Sequence, residues 1–365
     1  MTNNNPTWLE INLSAITSNS AALIRETGTP LMAIVKGDAY GHGALQVARA
    51  AISGGAQWLG VARFGEARIL RQNGIQAPIL VLGLALGEEV DEAIARNVTL
   101  TLPSRESLEH FSARAKAVGA KLRVHLKVDT GMGRQGVFPD DLLPFAREVQ
   151  DSGQIIVDGL YSHLAAAEET HAANEIQLER FKKALASLQE NGLRPRWVHL
   201  ANSAAAFYLP QTRFDLVRVG NVVLGLRIRI DQPLPESYLP SLSWKAKLAS
   251  CRRLPAGWGV GYGLTYIPSG EEWIGVVPVG YGDGLRRMPG NQVIIGGQKC
   301  PVVGRLCLDQ LMVRLPQAYP MGEEVVIIGQ QGDESIRVHD LAAVYQTSQV
   351  DVTTLINQRV PHIYV

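Results

Sequence analysis

Cysteine is scarce in this sequence of 365 residues, and its three cysteines, Cys251, Cys300 and Cys307, are odd in number and lack CxxC spacing. A disulfide framework and a zinc site are both unsupported, and reduced thiols fit a cytoplasmic protein. An excess of charge of one sign is also missing: 35 Lys and Arg face 34 Asp and Glu, a formal +1. With no basic block or acidic tail, nothing points to nucleic acid or to an anionic membrane surface as partner. No apolar run approaches the length of a membrane span. The opening Met1-Thr-Asn-Asn-Asn-Pro6 lacks the zones of a signal peptide. The eight histidines form no HxxxH or HExxH pattern, so no catalytic metal is expected. What is present is ordinary globular material, with 46% hydrophobic residues over a length that suits two domains.

The first two-thirds alternates short β-branched runs with longer helical patterns. Eight runs read as strands: Leu31–Val35, Trp58–Ala62, Pro78–Gly83, Asn97–Leu102, Leu122–Val128, Ile156–His163, Trp197–Leu200 and Leu216–Val219. Helical stretches lie between them at Ala44–Ser53, Glu66–Asn73, Glu88–Arg96, Ser104–Val118, Pro139–Gln150 and Glu175–Glu190. In the last, Ile176, Leu178, Phe181, Leu185 and Leu188 approximate one face. Ser104 suits a helix start, and Gly119 or Gly153 a stop. Eight strands with crossover helices is the count of a closed (β/α)8 TIM-type barrel; an open doubly wound sheet is the competitor. After about Pro233 short runs separated by turn signals read as a mostly β domain. The expected division is therefore an α/β barrel over 1–233 and a C-terminal β domain over 234–365, with room for the first ~10 residues to pack with the latter.

Reactive groups of such a barrel belong at the C-terminal ends of its strands. Lys36 follows the first strand and opens Lys36-Gly-Asp-Ala-Tyr40-Gly-His42-Gly. Burial there would lower its pKa toward that of a nucleophile or base, whereas snorkelling to the rim is the ordinary alternative. Arg134 follows the fifth strand, His163 ends the sixth, His199 with Asn202 and Ser203 follows the seventh, and Arg218 with Gly220 ends the eighth. Asn202 and Ser203 could cap a helix whose N-terminus receives an anion, or simply cap it. The glycine-rich stretches around Tyr262 and Tyr281 precede no helix pattern, so they are not dinucleotide fingerprints.

Taken together these motifs resemble the bacterial alanine racemase family over nearly the whole length. The resemblance rests on Val35-Lys36-Gly-Asp-Ala-Tyr40-Gly-His-Gly43, Lys127-Val-Asp-Thr-Gly-Met-Gly-Arg134, Ser162-His163, His199-Leu-Ala-Asn-Ser203 and Val217-Arg218-Val-Gly220. Gly261-Tyr262-Gly, Gly280-Tyr281-Gly-Asp283-Gly284 and Gly304-Arg305-Leu-Cys-Leu308-Asp309-Gln310 extend it. It implies pyridoxal 5'-phosphate (PLP) held as a Schiff base on Lys36, and a two-base interconversion of L- and D-alanine that supplies D-alanine for peptidoglycan. Lys36 would serve one face of the cofactor and Tyr262, from the partner chain of a homodimer, the other. Two bases are required, because one base returning a proton to the same face conserves configuration. A tyrosine, with an ordinary pKa near ~10, acts as a base only beside positive groups; His163 and Arg218 would supply that setting. Arg218 would face the pyridine nitrogen, where a donor-only group keeps the ring unprotonated and disfavours transamination. Tyr40, Asn202, Ser203, Gly220 and Asn221 would hold the phosphate. Arg134, Leu308 and Tyr281 would meet the substrate. Lys127 matches a position carbamylated in the family; an ordinary contact with Asp129 or water is the alternative.

Three positions depart from the family pattern. Gly37-Asp38 replaces Ala-Asn, Leu308 stands where methionine is common, and Gln358 stands where many members carry a tyrosine. The last keeps serine or broad-specificity racemisation open. A PLP decarboxylase would be expected to place a carboxylate near the pyridine nitrogen, and a non-catalytic PLP-binding barrel would leave the C-terminal domain unexplained.

Overall fold

The computed structural model describes residues 4–169, 171–229 and 232–365. Strand β1 (Thr7–Ile11) precedes eight strands that form one parallel sheet: β2 (Leu31–Ile34), β3 (Trp58–Val61), β4 (Ile79–Val81), β5 (Thr99–Leu102), β6 (Leu122–Lys127), β7 (Ile155–Tyr161), β8 (Trp197–His199) and β9 (Val217–Val219). Their order, β8-β7-β6-β5-β4-β3-β2-β9, leaves one seam between β8 and β9. Isolated bonds cross it, with the Asp215 N–H donating to the Val198 carbonyl and the Arg218 N–H to the Ala201 carbonyl, both at 3.0 Å. The sheet is a barrel, not the open doubly wound alternative.

Alternation within each strand explains both surfaces. Leu31 and Ala33 face the large core shared with the helices. Met32, Ile34, Trp58, Leu80, Tyr161 and Leu216 form a separate cluster inside the barrel. Burial on both sides is what gives these strands their near-continuous apolar sequence. Glycine is needed where the lumen is crowded: a Cβ on Gly159 would lie 2.7 Å from the His125 ring.

The helices follow local signals. Ser104 caps Arg105–Val118, its hydroxyl accepting from the Ser107 N–H at 3.3 Å, and Gly119 closes that helix at φ 69°. The Ala172–Glu190 helix begins earlier than its apolar face implied, capped by His171. Asn174 and Gln177 share its buried face, while Ile176 is 50% exposed and does not belong to it. Those two amides are buried because they bond loop carbonyls, Asn174 to Ala166 and Gln177 to His163, which apolar periodicity does not register. The helix Leu13–Thr27 is a further element that the strand-and-helix alternation did not mark.

The remaining strands, β10 (Leu242–Lys247), β11 (Ser250–Leu254), β12 (Glu272–Val277), β13 (Gln292–Ile295), β14 (Gln298–Val303), β15 (Leu311–Leu315), β16 (Glu324–Gln331), β17 (Glu334–Ile336) and β18 (His362–Tyr364), join β1 in a second sheet. It is antiparallel apart from the β1–β18 pair. The helices Val338–Tyr345 and Gln349–Thr354 interrupt the β texture expected of this part of the chain. This region packs against the barrel beside Lys36. A Cβ on Gly41 would collide with the Thr353 carbonyl, and one on Gly43 with the Tyr364 hydroxyl. Among the described residues no helix is long and apolar enough to cross a membrane.

Candidate active site

A cavity of about 250 Å³ opens at the C-terminal end of the barrel, lined by Lys36, Tyr40, Lys127, Arg134, Tyr161, His163, Asn202, Ser203, Arg218 and Gly220 among others. Lysine and arginine side chains line it at Lys36, Lys127, Arg134 and Arg218, and among the described residues no aspartate or glutamate does, so the cavity suits a ligand with more than one negative charge.

Lys36 is presented by an unusual turn. Gly37, Asp38, Ala39 and Tyr40 all have φ between 52° and 60° with ψ between 40° and 49°, four consecutive left-handed residues. Only glycine adopts this region freely; for the other three the cost is about 1–2 kcal/mol each. Strain of this kind persists only where neighbours over-determine it. Here the Ala39 N–H donates to the Val35 carbonyl at 3.0 Å, the Ala44 N–H to Asp38 Oδ1 at 2.6 Å, and the Gly37 N–H to Glu66 Oε1 at 2.6 Å. Gly37 and Asp38, the departures from the family pattern, thus have evident local uses. The Lys36 amine is held below its ordinary pKa by burial and by Arg134, with Glu66 opposing. Burial, aided by Glu66, raises that of Tyr40 and keeps its hydroxyl protonated.

Arg218 lies at the floor, 4% exposed. Its guanidinium donates to the Ser162 carbonyl (2.9 Å), the Leu200 carbonyl (3.0 Å), His199 Nδ1 (3.0 Å) and His163 Nδ1 (3.1 Å). A guanidinium only donates, so both imidazoles accept through Nδ1 and carry their proton on Nε2. His199 Nε2 then donates to His125 Nδ1 at 2.9 Å. Burial, then the charge of Arg218, depresses all three histidines far below their usual range, His125 to about 3. They are neutral at physiological pH. Tyr161 stacks on His199 with ring centroids 4.8 Å apart and lies 5.3 Å from the Arg218 guanidinium; its hydroxyl bonds Thr101 Oγ1 at 2.8 Å. Burial lowers Arg218 only to about 10, so it stays charged.

Lys127 is 3% exposed. Its amine has one long contact, 3.4 Å to the Val128 carbonyl, and sits 4.8 Å from the Tyr161 ring centroid. Asp129 does not pair with it: that carboxylate accepts from the backbone N–H groups of Gly131, Met132 and Arg134 at 2.8–3.0 Å. These bonds outweigh burial and hold Asp129 below its ordinary pKa. Burial, then Arg218, brings Lys127 to about 7 against the opposing charge of Asp129.

Across the cavity Asn202 caps the Ser203–Tyr208 helix by accepting from the Ala205 N–H at 3.0 Å. The Gly220 N–H donates to Ser203 Oγ at 3.3 Å. A Cβ on Gly220 would lie 2.6–2.7 Å from the Tyr40 ring and hydroxyl, so the close approach of three elements here requires glycine. Asn221 opens the neighbouring 3-10 turn but is not among the lining residues.

Tyr262, Tyr281 and Leu308 lie apart from this cavity, on loops of the second sheet's region. They are 71%, 40% and 49% exposed. The Gly282 N–H donates to the Leu308 carbonyl at 2.9 Å, and Arg359 pairs with Asp283 (2.7 Å) and Asp309 (2.8 Å), tying the Tyr281 and Leu308 loops together. Trp258, Leu264, Ile267 and Met288 are exposed in the same region. Exposed apolar groups are thus concentrated in this region.

Sequence reasoning missed Tyr161, Thr101, His125 and Glu66. The first three sit inside strands, where only barrel alternation could have shown that they face the lumen; Glu66 looked like an ordinary residue of a helix's first turn.

Two family models match: the alanine racemase N-terminal domain over residues 11–228 and the alanine racemase C-terminal domain over residues 241–364. An alanine racemase of Symbiobacterium thermophilum is 41% identical over 365 residues, covering 98% of this chain and 97% of that protein. The crystal structure of alanine racemase from E. faecalis superposes with a TM-score of 0.94 at 38% identity, covering 99% of this chain and 98% of that one. A histidine racemase from Leuconostoc mesenteroides superposes at 0.93 with 29% identity, covering 100% and 99%. On the matching domain models and the full-length likeness, this chain belongs to the alanine racemase family.

Proposed function

We propose that this chain is a PLP-dependent isomerase that interconverts L- and D-alanine by two bases, in a homodimer whose active site is shared between chains. The observation that carries the reading is the cavity itself: a half-buried lysine at one side, a donor-only arginine at the floor, two further basic side chains, Lys127 and Arg134, in the lining and no carboxylate among the described residues. The group of Tyr40, Ser203 and Gly220 fits a phosphate, since it gathers two hydroxyls at the cavity wall and the missing Cβ of Gly220 lets the Tyr40 hydroxyl, a donor, sit there. Tyr40, Asn202, Ser203, Gly220 and Asn221 would hold that group, and His163 and Arg218 would face the ring. When bound, PLP supplies an electron sink that acidifies the substrate's Cα–H.

The chain's own residues do the rest. Lys36, whose amine burial makes easier to deprotonate, would anchor the cofactor and, as a free amine, would exchange a proton on one face. Tyr262 of the partner chain approaches the opposite face, and its exposure in the single chain agrees with delivery across an interface. Arg134, with Tyr281 and the backbone at Leu308, orients the substrate carboxylate. Lys127 as a neutral amine is the form that reacts with carbon dioxide, and the resulting carbamate would hold Arg134. Arg218, which only donates, would keep the ring nitrogen from being protonated, whereas a decarboxylase site would call for a carboxylate there. With the division at 1–233 and 234–365, the barrel binds the cofactor and the β domain delivers the second base. The cytoplasm, where D-alanine for peptidoglycan would be made, is the proposed location.

Substrate breadth turns on Gln358, which is exposed in the chain, and the likeness to a histidine racemase keeps larger amino acids worth testing. Two measurements test the reading. Borohydride should abolish the visible absorbance of the purified protein and leave the label on Lys36. A chiral assay should show alanine racemised faster than serine or histidine. A label on another residue, or no turnover of alanine, overturns the reading.

A further inference from the structure

The left-handed turn behind Lys36 depends on a carboxylate from a different element. Glu66 lies in the first turn of the Phe64–Gln72 helix, after β3, where an acidic side chain ordinarily satisfies only its own helix end. Its Oε2 does that, accepting from the Ala62 N–H at 2.8 Å and the Arg63 N–H at 2.9 Å. Oε1 instead reaches across to the next loop and accepts from the Gly37 N–H at 2.6 Å. That N–H belongs to the first left-handed residue after Lys36. One ionised group therefore clamps two adjacent barrel loops, and it does so at the residue where the chain leaves ordinary backbone geometry. Tyr40, the last of the four left-handed residues, lines the cavity with Lys36. Any relaxation of the turn would move both side chains together.

We propose that Glu66 is a positioning residue for the reaction, holding the turn that aims Lys36 and Tyr40 into the cavity. This rests on Lys36 being the anchor and one of the two bases. The charge matters as well as the bond, because Glu66 opposes the lowering of the Lys36 amine's pKa by burial and Arg134.

The side chain's geometry separates its two jobs. Glu66→Asp keeps the charge and can still cap the helix, but is one methylene too short to reach Gly37. Glu66→Gln keeps the length; its single carbonyl oxygen can serve the cap or Gly37, not both, because its amide nitrogen only donates. L- and D-alanine are equal in free energy, so kcat/KM for the two directions stays equal in every variant and cannot reveal which face is affected. Wash-out of the Cα proton into deuterated solvent, followed for each enantiomer separately, can.

In the full-length holoenzyme, the Asp and Gln variants should retain the borohydride-reducible absorbance. Initial wash-out from the enantiomer whose Cα–H faces Lys36 should fall about ten- to a hundred-fold, the scale of a lost charge-assisted hydrogen bond. Wash-out from the other enantiomer should fall much less. Equal slowing of the two enantiomers, or full rates in both variants, would overturn the positioning role and leave the Lys36 assignment intact. Selective wash-out that survives in Lys36→Ala would instead overturn the assignment on which the proposal rests.

Discussion

Replacing Lys127 by methionine should stabilise the protein, by an amount that depends on pH in a defined way. Burial, together with Arg218, lowers the amine from 10.5 to about 7. The group is 3% exposed, so solvent does little to offset this. Below about pH 7 the folded and unfolded states both hold the proton, and the full cost of burying the charge is present. Between about 7 and 10.5 only the unfolded state holds it, so folding stability rises with pH, by ~1.4 kcal/mol per unit. Above 10.5 the difference vanishes. A span of roughly 3.5 units corresponds to about 5 kcal/mol, and Lys127→Met, of similar length and without a charge, should recover much of it at pH 7 and none at pH 10.5. The assay is denaturant unfolding at fixed protomer concentration, which the proposed dimer requires, in carbon-dioxide-free buffer at several pH values. Curves for the two proteins that run parallel across this window would refute the reasoning. Carbamylation consumes the neutral amine, so bicarbonate should raise the wild-type melting temperature and leave that of the methionine variant unchanged.

Tyr262→Phe should abolish racemisation while PLP stays bound, as read by absorbance and chiral chromatography. Arg218→Gln leaves at least two of the four buried acceptors of the guanidinium unserved, at about 1–3 kcal/mol each. Denaturation should therefore show a loss of roughly 2–6 kcal/mol, and keto-acid release from alanine should rise as the ring nitrogen loses its donor-only neighbour. Gly220→Ala places a methyl group 2.6 Å from the Tyr40 ring, and should weaken PLP binding measured by titration of the apoprotein.

The barrel was legible because most of its strands are buried on both faces and bounded by turn residues, as at Leu31–Ile34. Strand-end residues such as Lys36, Arg134 and Arg218 followed from the rule that barrels react at one rim. The resemblance, not periodicity, drew Tyr262 into the proposed site, since a tyrosine between glycines on a β-domain loop has no local signature of chemistry. The lumen was less legible. His125 and Tyr161 sit within strands, and their importance comes from a donor-only arginine that fixes the tautomers of its neighbours. Glu66 was hidden for another reason: its second bond runs to a loop 29 residues away, along a left-handed turn that residue types alone do not reveal.

The central claim is a site assembled from two chains, Lys36 from one and Tyr262 from the other. Mixing the inactive variants Lys36→Ala and Tyr262→Phe under conditions of subunit exchange tests it directly. Half of the resulting dimers would be mixed, each with one of its two sites intact, so alanine racemisation should return to about a quarter of the wild-type rate. A mixture that stays inactive although mixed dimers are demonstrated, or a single variant active by itself, would contradict the account.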